Sequence, residues 1–209
     1  MGRITELYDR HVLPSLLDIA CSMRAFARQR DKVVPQATGV VLEIGIGTGL
    51  NIRHYNASAV SKIIGIDPAM QMHRLAKKRI DSSGLSVELV GLPADQIPLP
   101  DDSIDTIVMT YTLCTIPDPI AALKEMRRVL KPDGKLLFCE HGLAPDEKVQ
   151  KRQRAWEPLW GKFSGGCHLA RDIPALLKAG GFKLSDLQTM YVPGPRVFTY
   201  NYWGQAYRE

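Results

Sequence analysis

The stretch VVLEIGIGTGLN, Val40 to Asn51, decides the fold. An apolar run leads directly into three glycines at alternate positions, Gly45, Gly47 and Gly49. A short apolar segment closed by glycines reads as a buried strand that turns sharply beside a ligand. The dinucleotide fingerprint GxGxxG wants a sixth-position glycine, and this chain has Leu50 there. A phosphate loop wants Gly-Lys-Ser/Thr, and Thr48-Gly49-Leu50-Asn51 carries no lysine. The turn therefore calls for a ligand that approaches the backbone without a phosphate.

Two acids narrow that ligand. Glu43 stands two residues before the first glycine, where it would repel a pyrophosphate but suits an ammonium or sulfonium group. Asp67 ends the next apolar run, 18 residues past Gly49, where a carboxylate can accept both hydroxyls of an adenosine ribose. Together with the glycine spacing they favour S-adenosylmethionine over NAD.

Outward from the turn, short apolar runs alternate with helical patterns. SKIIGID, SVELVGL, IDTIVMTYTL and KLLFCEHG follow as strands. AMQMHRLAKKRIDSSG and DPIAALKEMRRVLKPDG are helices, and NIRHYN is expected to open another. This rhythm predicts an α/β fold with a doubly wound, mostly parallel seven-stranded sheet of the Rossmann-like kind. Lys183–Tyr191 and Val197–Tyr207 are expected to pair antiparallel as a C-terminal edge hairpin. Residues from Ile4 to Arg30 read as helical with a break at Pro14, and the tryptophan-containing segment Asp146–Gly166 as polar. We expect one domain over 1–209, with a helical cap (1–37), a cofactor-binding core (38–142) and an acceptor-side segment (143–209).

The bulk numbers agree with a globular protein: 209 residues, 45% hydrophobic and 23% charged, with a net charge of +5. A mildly basic surface without charge blocks or aromatic–basic repeats gives no ground for nucleic-acid binding. The four cysteines show no metal spacing, so no metal and a reducing, cytoplasmic setting are expected. No stretch approaches the ~20 apolar residues of a membrane span, which leaves peripheral contact as the only membrane option.

VVLEIGIGTG, GIDPAMQMHRLA, IPLPDDSIDTIV and ALKEMRRVLKPDGKLLF resemble, as a set, the successive motifs of class I S-adenosylmethionine-dependent methyltransferases. The resemblance implies that the Gly45, Gly47 and Gly49 backbone cradles the methionine part and that Asp67 binds ribose. It also implies that Pro68 and Met72 line the adenine pocket, and that Thr110 and Tyr111 face the methionine end. The acid-small-acid trio that often reaches adenine is replaced by Pro93-Ala94-Asp95, so Ala94 and Asp95 are left to offer backbone amides. Tyr8 resembles an N-terminal tyrosine that folds over the cofactor.

A narrower resemblance concerns the acceptor. Leu113-Cys114, Glu140-His141, Trp156-x-x-x-Trp160 and Gly166-Cys167-His168-Leu169-x-Arg171 resemble the methyltransferase-like alkyl thiol methyltransferases. It implies a small hydrophobic thiol as acceptor, with His141 and Glu140 at the strand end as candidate catalytic groups. Cys114, Trp160, Cys167 and His168 are the candidate acceptor-pocket residues. Ile116-Pro117-Asp118-Pro119 and the basic balance also resemble bacterial phosphatidylethanolamine N-methyltransferases. An O- or N-methyltransferase of another small metabolite, or a non-catalytic adenosylmethionine-binding protein, stays open as well.

Overall fold

The computed structural model describes Tyr8 and residues 12–209. Seven strands form one sheet in the order β3-β2-β1-β4-β5-β7-β6. They are β1 (Gly39–Ile44), β2 (Val60–Ile66), β3 (Val87–Val90), β4 (Ile104–Thr110), β5 (Leu130–His141), β6 (Phe182–Tyr191) and β7 (Tyr200–Arg208). The first five pair in parallel, and β7 runs antiparallel to both β5 and β6. The expected hairpin is thus present, with β6 at the edge and β7 inside the sheet.

Strand β1 is central and covered on both faces, which is why its sequence is apolar without alternation. Its side chains still divide by the pleat. Leu42 and Ile44 join Met109, Leu123, Phe138 and Phe182 on one face, while Val41 joins Val34, Ile63, Val108 and Leu137 on the other. Helix α4 (Pro119–Val129) covers the first face with Ala122, Leu123, Met126 and Val129, a helical stripe. Asp118 caps it by accepting from the Ile120 and Ala121 amides, an arrangement worth about 1 kcal/mol. Helix α1 (Leu13–Ser22) meets the glycine turn through Asp18, α2 (Arg24–Val33) packs against β5 and β7, and α3 (His73–Asp81) follows β2. The order reverses between β1 and β4, whose ends meet at Ile44 and Met109, so the glycine turn opens at the switch point of the sheet.

Two local expectations are corrected, the helix after Asn51 and the start of the last strand. Pro14 sits in the first turn of α1, where a missing N–H costs nothing, and among the described residues a further break falls at Met23 with ψ 144°. NIRHYN forms only a 3-10 turn, Ile52–His54, because Asn51 and Tyr55 are both drawn onto the buried Glu43 carboxylate. The polar, tryptophan-containing segment after Asp146 forms a 17-residue helix, α5 (Glu147–Phe163). It is followed by α6 (Ile173–Ala179) and by one helical turn, α7 (Arg196–Thr199), at the place where a strand was expected to begin. Among the described residues no helix is long and apolar enough to cross a membrane.

Candidate active site

Two adjoining cavities open above the carboxyl ends of the strands, of about 440 and 450 Å³, and share Gly45, Asp67, Met72 and Thr112 in their walls. Gly45 adopts φ +67°, and a Cβ there would stand 2.3 Å from the Thr112 side chain, so only glycine lets the turn close. Gly47 borders the first cavity, 3.8 Å by its would-be Cβ from Asp67 Oδ2. Gly49 lines neither cavity and instead lets Ala76 of α3 approach, with a Cβ meeting the Ala76 backbone at 3.1 Å.

Asp67 accepts from the Gly47 amide at 2.9 Å through Oδ2 and from the Ala69 amide at 2.8 Å through Oδ1. Burial raises its pKa, and the two amides oppose that rise. Glu43 is buried at the cavity wall, accepting from Asn51 Nδ2 at 3.0 Å and Tyr55 Oη at 2.7 Å. Burial pushes its carboxyl up to about 7 against those hydrogen bonds. Thr110 Oγ1 takes another proton of the Asn51 amide at 3.0 Å, so Asn51 ties the ends of β1 and β4 together. Tyr111, held at φ +54°, lines the cavity and donates its hydroxyl to Asn201 at 2.6 Å.

The cap is fastened to this floor. Thr48 Oγ1 donates to Asp18 of α1 at 2.6 Å, and Arg79 of α3 bonds both the Thr48 carbonyl and Asp18. Arg30 of α2 is buried against the cavity, its guanidinium 5.0 Å over the Tyr111 ring and Nη1 donating to the Cys21 carbonyl at 2.7 Å. Its Nε has no protein acceptor among the described residues. Sequence reasoning missed Asp18, Arg30, Asn51 and Tyr55. Only Asn51 carried a signal, as the polar residue that closely follows the glycine turn.

Pro68, Met72, Ala94 and Asp95 line the second cavity, with Asp95 at its exposed rim. Tyr8 lines neither cavity; its hydroxyl donates to the Phe163 carbonyl at 2.9 Å.

The wall of the first cavity also carries Cys114, His141, Trp160 and Cys167. Cys167 Sγ lies 3.2 Å from His141 Nε2, a partner 26 residues away rather than the adjacent His168. Cys114 and His141 together hold the Cys167 thiol well below its usual range, and Cys114 is pushed up in exchange. Trp160 stacks on Phe198 of α7 with centroids 4.5 Å apart. Gln153 of α5 braces this wall, bonding the Ala144 amide and the Gly142 and Leu169 carbonyls.

Two expected residues do not face the cavity. His168 is exposed and bonds Glu157 at 3.0 Å, because the backbone that brings Cys167 inward turns its neighbour out. Glu140 is fully buried on the opposite side of the strand end, with Oε1 accepting from the Thr112 and Leu113 amides at 2.8 and 3.0 Å. Its carboxylate anchors the turn after β4 and does not line the cavity.

The methyltransferase domain family matches residues 42–138, the span of both acids and the glycine turn. Thiol S-methyltransferase TMT1B of Mus musculus is 31% identical over 174 residues, covering 81% of this chain and 70% of that protein. The chain belongs to the S-adenosylmethionine-dependent methyltransferases. TMT1B of Rattus norvegicus matches this methyltransferase at 33% identity over 74% of its length, and the chain spans 64% of that relative. A crystal structure described as a possible histamine N-methyltransferase of Thermotoga maritima superposes with a TM-score of 0.67. It covers 98% of this chain and 99% of that one at 22% identity, which speaks for the fold alone.

Proposed function

We propose that this methyltransferase moves the methyl group of S-adenosylmethionine to the sulfur of a small apolar thiol. The observation that carries the reading is the contrast between the ends of one cavity. Glu43 and Asp67 lie at the glycine turn, whereas the far wall of Cys114, His141, Trp160, Cys167, Leu169 and Phe198 contains no carboxylate to hold an ammonium acceptor.

The donor set fits the cofactor. Glu43 suits its ammonium, the buried Arg30 its carboxylate, and Asp67, positioned by two backbone amides, its ribose hydroxyls. Bound there, S-adenosylmethionine supplies a methyl group on a sulfonium, with a neutral thioether as leaving group. The residues around it then contribute alignment: the glycine turn fixes one end, and Trp160 and Phe198 confine the acceptor, which converts an encounter into an in-line approach. Water is excluded by the apolar wall. A thiol of pKa about 8.5 is already partly ionised near neutrality, and His141 stands at the wall to take its proton.

The relatives named thiol S-methyltransferases support the same acceptor. Incubation with methyl-labelled S-adenosylmethionine and a panel of alkyl and aryl thiols, amines, phenols and phosphatidylethanolamine vesicles tests it. Label in thioether products is expected; label confined to amines or lipid would refute the thiol assignment.

A further inference from the structure

Cys114, His141 and Cys167 come from three distant parts of the chain and meet at one point of the cavity wall. Their ligating atoms all lie within 4.8 Å of one another. No sequence spacing announces this, which is why the sequence alone predicts no metal.

Each of the three is held from behind. The Glu140 carboxylate takes the Thr112 and Leu113 amides, and Arg171 donates to the Leu113 carbonyl, so the turn that carries Cys114 is clamped on both sides. The His168 amide donates to the Cys114 carbonyl at 2.9 Å, which draws Cys167 against Cys114. Glu157 accepts the Ala170 amide at 2.9 Å and fixes the same loop further on. His141 is secured by β5, where it pairs with Asn201 of β7.

We infer that this cluster binds a zinc ion whose fourth position is taken by the sulfur of the methyl acceptor. Two cysteines and one histidine form a donor set of the catalytic zinc type, which keeps one position for water or substrate. Soft sulfur donors favour zinc over magnesium or calcium. With Zn–S near 2.3 Å and Zn–N near 2.0 Å, tetrahedral ligand atoms stand roughly 3.5–3.8 Å apart. Cys167 Sγ and His141 Nε2 are 3.2 Å apart and no pair of the three ligand atoms exceeds 4.8 Å, so side-chain shifts of about 1 Å or less seat the ion. All three residues line the cavity, and the remaining position faces into it. Two thiolates balance the charge of the divalent ion.

This inference deepens the thiol reading and rests on it for the identity of the fourth ligand. The acceptor R–SH binds through sulfur and releases its proton to solvent, becoming a zinc-bound thiolate. A sulfur lone pair then forms the bond to the methyl carbon. The sulfonium C–S bond breaks, and its electron pair stays on the sulfur of departing S-adenosylhomocysteine. The neutral thioether is a weak ligand and leaves the metal. In the loaded protein His141 is a ligand, and the ion takes over the acidification of the thiol.

Tag-free protein purified under reductant should retain about one zinc per chain by elemental mass spectrometry. Cys114→Ser and Cys167→Ser should lose it while still binding S-adenosylhomocysteine in calorimetry, which shows that they fold. Cobalt-substituted protein should display a thiolate-to-metal charge-transfer band that changes when an alkanethiol is added. Wild-type protein without zinc, or equal zinc in the Cys167→Ser variant, overturns the site. A cobalt spectrum indifferent to thiol overturns the acceptor's place on the metal. Zinc-free protein that methylates thiols at full rate overturns the inference and leaves the thiol function standing. Zinc-loaded protein that methylates only amines removes that function and leaves the site.

Discussion

The two ends of the cavity are built in different ways. The cofactor end is built on the backbone of the sheet: β1, its glycine turn, β2 and β4 meet at the switch point, and Glu43, Gly45, Asp67 and Thr110 belong to strand ends or the turn itself. The acceptor end is assembled from afar. Cys114 follows β4, His141 ends β5, Cys167 follows α5 and Phe198 lies in α7, held in place by Gln153, Glu157 and backbone hydrogen bonds. An end fixed by backbone geometry should tolerate almost no change. One assembled from side chains should lose acceptor affinity while keeping the cofactor.

The largest break is expected at Gly45. An alanine there combines left-handed strain with overlap against Thr112, a cost of roughly 2–5 kcal/mol, and should abolish cofactor binding in calorimetry. Near-normal affinity would mean that the turn has room to yield. Asp67→Asn keeps the shape but turns an NH2 towards the Gly47 or Ala69 amide and weakens the charge-assisted bonds to ribose, so affinity should fall about 10- to 100-fold and the melting temperature should drop as well.

A pH series probes the same end. Glu43 titrates at about 7 in the free protein, above the ordinary carboxylate range, so it is largely protonated at pH 6. An ammonium ligand needs it ionised, and binding must expel that proton below pH 7. Affinity should therefore rise with pH by at most about tenfold per unit and level off above about 7. The free protein should lose stability as pH rises from the ordinary carboxylate range towards 7, because the unfolded carboxyl ionises first. A flat affinity profile would dissociate Glu43 from the ammonium.

At the acceptor end, Trp160→Ala should raise the thiol KM about tenfold and leave cofactor affinity unchanged, since its ring closes the wall against Phe198. His168→Ala should change kcat/KM less than about twofold, because the ring points to solvent and to Glu157. A larger loss would bring His168 back into the site.

The same division governs what could be read from the chain. The strands, the glycine turn and the placing of Glu43 and Asp67 beside it were legible because period, spacing and residue type are local signals. Even there, the helix expected after Asn51 failed, since the buried Glu43 recruits Asn51 and Tyr55 and stops a helix from forming. Arg30 was illegible because an arginine on an amphipathic helix gives no sign of being folded inward. Sequence proximity suggested Cys167 with His168, whereas the fold pairs Cys167 with His141. Glu140 and His141 were both expected at the acceptor, but adjacent residues on a strand face opposite ways, and only His141 lines the cavity. Side-chain convergence across the sheet is a tertiary fact with no periodic trace.

The central claim is that the carboxylate-free, sulfur-lined end selects a thiol. Its most direct measurement is kcat/KM for a matched trio of one carbon skeleton, the thiol, the alcohol and the amine, with methyl-labelled S-adenosylmethionine. The account predicts label on sulfur, with the alcohol and amine at background. Transfer to the amine at a rate equal to or above that of the thiol would contradict it.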